Sequence, residues 1–375
     1  YLRYLNEGHL QYELAFPHLA GRNFTRLPEF LSLRNLLLLL RIKLLTKHYD
    51  SMGNYFSDHR LKAAFTFQDM YLSLSPYEAP AMYSLMQYTE LADGIWFPMG
   101  GMYSLVEALT SIAQGNGARF IYSTPVAQIN IEDRHAAGVT LADRGQMRAD
   151  IVVANADLPY VYRSLLPDDG MARRLERKRY TCSTVMFYWG VDKRYPQFGP
   201  HNVFLADDYR QSLDRVLKDY TLPDEPTFYM HTPVSIDPSL APEEQDTLVV
   251  VVPVGHMNDA APQDWAAIQK RARQLVLQRL AKMGAADLEE HIKFEVGYTP
   301  PDWLSRYNLV KGSTLGLGHN TMQMAYLRPS HRHARYHNLY FVGASTHPGS
   351  GLPAVLLSAR FATDRILQDA GRMEM

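Results

Sequence analysis

The chain has 375 residues, with 38 Lys and Arg against 39 Asp and Glu, a formal net charge of −1, and a single cysteine. A near-neutral balance with scattered cations excludes an electrostatic nucleic-acid footprint. Cys182 alone excludes an internal disulfide framework and cysteine-based metal sites and fits a reducing compartment, while the length predicts two domains. No apolar run reaches the roughly 18 residues of a membrane span.

In chain order, residues 1 to 92 read as helical, with few glycines and with Leu31, Leu36, Leu40 and Leu44 at helical spacing. Residues 31–47 hold a five-leucine run flanked by Arg34, Arg41, Lys43 and Lys47. That pattern serves either a core helix with charged ends or an interfacial helix whose cations meet anionic lipid. The glycine-bounded segment 94–101 breaks the periodicity. Residues 102–114 resume a helix with Leu105, Val106, Leu109 and Ile112 on one face, and Gly115-Asn-Gly-Ala stops it. Residues 119–122 read as a strand, 126–131 and 137–141 as hairpin arms, and 150–154 as a buried parallel strand. From 160 to 300 the signals are mostly β, at 184–190, 228–231 and 248–252. An amphipathic helix at 265–281 interrupts them, with Trp265, Ile268, Ala272, Val276 and Leu280 along one side. There is no internal repeat.

Residues 338–358 are the most informative stretch: a short apolar strand at 339–342, a loop of small residues, and a helix opening around Pro353. A strand end, small residues and a helix N-terminus together make an anion cradle, because ligand can approach the backbone and the first helical N–H groups are unspent. On shape alone a plain glycine-rich connection stands equally open. Gly349-Ser350-Gly351-Leu352-Pro353-Ala354 imitates the G-x-G-x-x-A dinucleotide fingerprint, but residues 343–348 separate it from the strand, and no G-x-G-x-x-G stands anywhere in the sequence.

The order of residues 338–358 is similar, position by position, to the C-terminal signature of bacterial and fungal phytoene desaturases, which are FAD-dependent carotenoid desaturases related to the flavin amine oxidases. Gly343, Ala344, Ser345, Thr346, His347, Pro348, Gly349, Gly351 and Ser358 fall in register. Segments 94–101, 153–157, 201–210, 237–242 and 252–256 agree in the family's order, and the wording looks most like the fungal-type branch. The resemblance spans essentially the whole chain. It implies an α/β (α+β mixed) fold: a doubly wound FAD/NAD(P)-binding layer interleaved with a substrate domain of mixed or antiparallel sheet plus helices. The expected segments are 1–95, helical and substrate- or membrane-contacting; 96–160, part of the FAD layer; 161–309, the substrate-binding sheet; and 310–375, the FAD-layer segment with the flavin signature. Members of the family open with a glycine-rich βαβ unit that holds the ADP half of FAD. The resemblance therefore implies an N-terminally truncated chain lacking about a hundred residues, the dinucleotide unit among them.

The activity so implied is FAD-dependent dehydrogenation of phytoene towards lycopene, with hydride leaving an allylic carbon for the flavin. Another FAD-dependent member of the scaffold (carotenoid isomerase or amine oxidase) and an inactive fragment that binds only apolar ligand are the alternatives. Carried over from the family, Gly343, Ala344, Gly351, Leu352 and Pro353 hold the flavin, Val126 brackets adenine and Asn155 supports it at a strand end. Without the resemblance, Val126 is a core valine and Asn155 a turn residue. His347 is the only titratable group in the signature and reads either as a base or as a structural histidine bonded to a loop carbonyl. Trp96, Phe97, Tyr188 and Trp189 are candidates to line an apolar tunnel. His331, His333 and His337 match no metal-ligand spacing, so no metal is expected. Hydrolase and kinase motifs are absent from the sequence. NAD(P) stands as an alternative cofactor or terminal acceptor. The partners expected are a carotenoid and a membrane surface, with a homo-oligomer left open, and the location expected is cytoplasmic and peripheral to the membrane.

Overall fold

The computed structural model describes residues 1–24, 26–167 and 170–373. Among them are ten strands: β1 (Val126–Glu132), β2 (His135–Leu141), β3 (Gln146–Arg148), β4 (Val152–Ala154), β5 (Ser183–Val191), β6 (His201–Phe204), β7 (Phe228–His231), β8 (Asp246–Val254), β9 (Ile292–Tyr298) and β10 (Leu339–Phe341). The chain forms two compact units, one of residues 1–92, 123–181 and 304–375, the other of residues 93–122 and 182–303.

In the first unit the helix Leu2–Ala15 packs on Ser84–Ala92. Gly8 permits this, since a Cβ there would lie 2.6 Å from the Tyr88 Cβ. The leucine-rich segment is helical over Leu33–Arg41, where the Ser32 hydroxyl caps the N-terminus by accepting from Asn35 N–H. Its buried side carries Asn35 and Leu38, and Leu38 and Ile42 join Ala15, Leu19, Phe24 and Met82 in a small core. The leading region is less regular than its periodicity predicts, and short 3₁₀ and π turns break it at Phe16–Ala20, Phe67–Leu72 and Ala81–Tyr83.

β1, β2 and β3 form an antiparallel meander, while β4 and β10 pair in parallel, with Val152 opposite Leu339 and Ala154 opposite Phe341. Asn338 sets this register. Its amide donates to the carbonyls of Ala136 and Asp150 and its oxygen accepts from Ala136 N–H, tying the start of β10 to β2 and to the approach to β4. The apolar faces of these strands bury Ile129, Ala136, Val152, Leu339 and Phe341 with Leu158, Val161 and Leu165. The chain then runs into the 22-residue helix Leu352–Met373.

The second unit is built on an antiparallel sheet of order β6-β7-β8-β5-β9. Strict alternation along β8, and along β5 as far as Trp189, puts Val185, Phe187, Trp189, Leu248, Val250 and Val252 on one face. The helix Trp265–Lys282 covers that face with Ala272, Val276 and Leu280 and is capped by Asp264. One expectation is corrected here. Residues 119–122 form no strand; Phe120 and Tyr122 stack on each other instead, with centroids 6.1 Å apart. The helix Tyr103–Gly115 forms where its period predicts, but none of its residues is buried, and Val106, Leu109 and Ile112 are exposed.

Candidate functional site

The signature loop leaves β10 at Gly343, whose φ of +108° suits glycine. Its N–H donates to Ser358 Oγ at 3.1 Å, and Thr346 Oγ1 lies 2.9 Å from the same hydroxyl, so the helix Leu352–Met373 reaches back to hold the strand end. Asn155, just beyond β4, closes the other side: a Cβ on Gly343 would sit 3.2 Å from its Oδ1. The structure thus brings Asn155 and Gly343 together. Val126 lies elsewhere in the unit, opening β1 opposite Leu141.

Gly351 has φ +98°, and a Cβ built on it meets no protein atom within 4 Å. Leu352 and Pro353 are exposed beside it at the start of the long helix. This is open space, free of neighbouring side chains, at a helix N-terminus whose partial positive charge favours an electron-rich ligand edge. The residues present therefore fit a flavin.

The residues that hold this loop were not legible as site residues in the sequence. Arg328, 3 % exposed, spends its guanidinium on five backbone carbonyls: Nε to Thr346 at 2.9 Å, and the two terminal nitrogens to Gly318, Gln323, Leu317 and Ala344 at 2.6–3.0 Å. Burial pushes its pKa down to about 10, so it stays charged at neutral pH. His319 lies beneath Gly349 and Ser350. Its Nε2 accepts from Ser350 N–H at 3.1 Å, and burial holds its pKa well below the ordinary value, which keeps that lone pair available. Asp157 accepts from Ser345 Oγ at 2.7 Å and from Val310 N–H at 3.1 Å, with its pKa raised by burial. A Cβ on Gly316 would lie 2.3 Å from Ser345 Oγ, so only glycine lets that bond form. Asp157 ends one of the segments in family register and could have been found from it; Arg328 and His319 carry no local pattern that marks them.

His347 is 5 % exposed. Its Nε2 donates to the Arg22 carbonyl at 3.0 Å, its ring stacks on Phe361, and burial lowers its pKa to about 4. It is a neutral, loop-anchoring imidazole in this arrangement. Of the tunnel candidates, all in the second unit, Trp96 is 88 % exposed and Phe97 packs edge-on to His231. Tyr188 and Trp189 are neighbours on β5 and face opposite sides of the sheet, so they cannot line one tunnel. Trp189 is a core residue with Nε1 bonded to Glu295, whereas half-buried Tyr188 packs on Tyr298. Among the described residues no group of three or more His, Cys, Asp or Glu could hold a metal, and no helix is long and apolar enough to cross a membrane.

Residues 26–367 match the family described as flavin containing amine oxidoreductase. The chain is 42 % identical over 369 residues to the zeta-carotene-forming phytoene desaturase of Myxococcus xanthus, covering 98 % of this chain and 71 % of that protein. It is 40 % identical over 394 residues to the phytoene desaturase of Fusarium fujikuroi, covering 99 % and 69 %. Among solved structures, an oxidoreductase from Methanosarcina mazei superposes with a TM-score of 0.57 at 18 % identity, covering 90 % of this chain and 74 % of that one. A redesigned putrescine oxidase gives 0.56 at 14 %, covering 98 % and 75 %. These last two show the fold alone.

Proposed function

The chain belongs to the flavin-containing amine oxidoreductases and, within them, to the phytoene desaturases, and on that premise we propose that it dehydrogenates phytoene to a more unsaturated carotenoid, with FAD in the cradle at Gly343–Ala344 and Gly351–Pro353. The single observation that carries the assignment of the cradle is the open space at Gly351, where a Cβ would meet no atom within 4 Å, at the N-terminus of a 22-residue helix. When bound there, the flavin would supply the two-electron acceptor for a hydride from an allylic carbon, the proton on the adjacent carbon of the resulting delocalised cation leaving to water. The chain's own part is positional. Arg328, His319 and Ser358 fix the loop so that its backbone N–H groups keep one geometry, and the helix N-terminus stabilises negative charge on the ligand edge it faces. Asn155 closes the strand-end side; Val126 is proposed at the adenine end. Phe97 and Tyr188 remain candidates for contact with the apolar substrate, and NAD(P) for the terminal acceptor.

We also propose that the helix Leu33–Arg41 contacts the membrane in which such a substrate dissolves. Leu33, Leu36, Leu37 and Leu40 follow i, i+3, i+4, i+7 spacing and are all more than half exposed, opposite buried Asn35 and Leu38. Arg34, Arg41 and Lys47 ring this face and suit anionic headgroups. The test of the function is to supply phytoene in vesicles to the flavin-loaded chain and chromatograph the products. A longer polyene supports it; peroxide formed from an amine with no carotenoid product would assign an oxidase instead.

A further inference from the structure

The first unit contains a cavity of about 550 Å³ that the flavin cradle does not explain: none of Gly343, Ala344, Gly351, Leu352 or Pro353 lines it. Its wall is cationic. Arg328, Arg332 and Arg365 line it with His331, His333 and His347, and no Asp or Glu does. Arg332 and Arg365 share one carboxylate, Asp369, which accepts from Arg332 at 3.1 Å and from Arg365 Nε at 2.9–3.0 Å. Arg328 is satisfied only by neutral carbonyls, so its charge is uncancelled at contact range. Three guanidinium groups thus face one carboxylate. The histidines add polar edges. His333 Nδ1 accepts from the N–H groups of Arg335 and Tyr336, which puts its proton on Nε2. His347 Nδ1 is buried without a hydrogen-bond partner among the described residues.

A partly buried concentration of positive charge, with Arg328 buried and the Arg332 and Arg365 side chains 27 % and 23 % exposed, is stabilised by an anion, and guanidinium forks suit tetrahedral oxyanions. Binding cavities for small molecules run from roughly 300 to 1,000 Å³, so this one exceeds what an isolated phosphate needs. We infer that this cavity binds a phosphate-bearing small molecule, its phosphate held between Arg332, Arg365 and the Nε2–H of His333, with an organic group in the remaining space. A nucleotide and a phospholipid headgroup share that chemistry.

The test uses the whole chain, with inorganic pyrophosphate, ADP and phosphatidylglycerol vesicles as probes in calorimetric titration, and with the flavin cradle saturated by FAD. Saturable binding is expected with at least one probe. Tighter binding of ADP would identify a nucleotide, and binding confined to vesicles a headgroup. Ala334 lies exposed on the rim, so Ala334→Trp blocks the cavity without touching its charges, and affinity should fall at least tenfold; Arg365→Gln should weaken it about tenfold, the loss of one charge-assisted bond. If Arg365→Gln does not fold, Ala334→Trp decides. Absence of saturable binding, affinity unchanged in Ala334→Trp, or binding seen only without FAD would overturn the inference. The readout is independent of catalysis, so it does not stand or fall with carotenoid turnover.

Discussion

Alanine at two glycines two residues apart in the signature loop should damage different properties most: stability at Gly349 and flavin binding at Gly351. At Gly351 the added methyl meets no protein atom within 4 Å, so the folded chain bears only the strain of φ +98°, roughly 1–2 kcal/mol. At Gly349 the backbone is also at positive φ, +144°, and the methyl would lie 2.9 Å from Nε2 and 3.0 Å from Cδ2 of the buried His319 ring. Overpacking of that kind adds roughly 1–3 kcal/mol. Gly349→Ala should therefore lose about twice as much stability as Gly351→Ala in urea denaturation. Flavin binding should order the other way relative to stability. In Gly351→Ala the methyl occupies the space proposed for the flavin, and FAD affinity should fall by at least about tenfold, equal to about 1.4 kcal/mol, in a chain that still unfolds cooperatively. Fluorescence titration of FAD into each variant reads this directly. Wild-type flavin affinity in Gly351→Ala, or equal destabilisation by the two substitutions, would refute the placement of the cradle.

Arg328→Met removes the donor from five buried carbonyls at about 1–3 kcal/mol for each one left unsatisfied, partly offset by relief from burying a cation. A net loss of about 3–5 kcal/mol is expected in urea denaturation, and a loss under about 1 kcal/mol would show that the guanidinium does not hold the loop. Acid should also weaken the fold. His347 titrates at about 4 in the folded chain and near its ordinary value when unfolded, and His319 and His331 are lowered too. Between about pH 6.5 and 4 the unfolded state binds more protons, so stability is full above that window and falls as pH drops through it. His347 alone contributes about 3 kcal/mol of this. His347→Gln should flatten the pH dependence of the denaturation midpoint; an unchanged slope would contradict the assignment. Replacing Leu33, Leu36, Leu37 and Leu40 by Ser should abolish flotation with anionic liposomes, because each exposed leucine offers about 1.5–3 kcal/mol on full burial; flotation at the wild-type level in a folded variant would reject membrane contact there.

The elements that sequence periodicity located are those whose environment is itself periodic. β5 and β8 sit in the middle of a sheet, and the helix Trp265–Lys282 lies on its face, so Val185, Phe187, Leu248 and Ala272 recur at the spacing their burial requires. The helix Tyr103–Gly115 was also located, although its apolar face is exposed, since local spacing records what a helix is shaped to cover and not whether it is covered. Residues 119–122 misled for a related reason: Phe-Ile-Tyr is strand-like in composition, but a strand needs a partner edge, and sequence alone does not supply one. At the site, the glycines were readable because their role is conformational and local. Arg328 and His319 were not, because each acts on backbone groups brought near by the fold, from Ala344 to Ser350. His347 shows the converse. Its position in the signature suggested chemistry, whereas its hydrogen bond to Arg22, on a leading segment 325 positions away in sequence, gives it an anchoring task.

The measurement that bears most directly on the central claim is anaerobic mixing of the flavin-loaded chain with phytoene in lipid vesicles, following the flavin absorbance and the carotenoid spectrum together. The flavin should bleach as a longer conjugated polyene appears, in equal amounts, and at limiting FAD Gly351→Ala should do both in proportion to its lower flavin occupancy. Bleaching by an amine and not by phytoene, or full flavin occupancy with no change in the carotenoid, would contradict that claim.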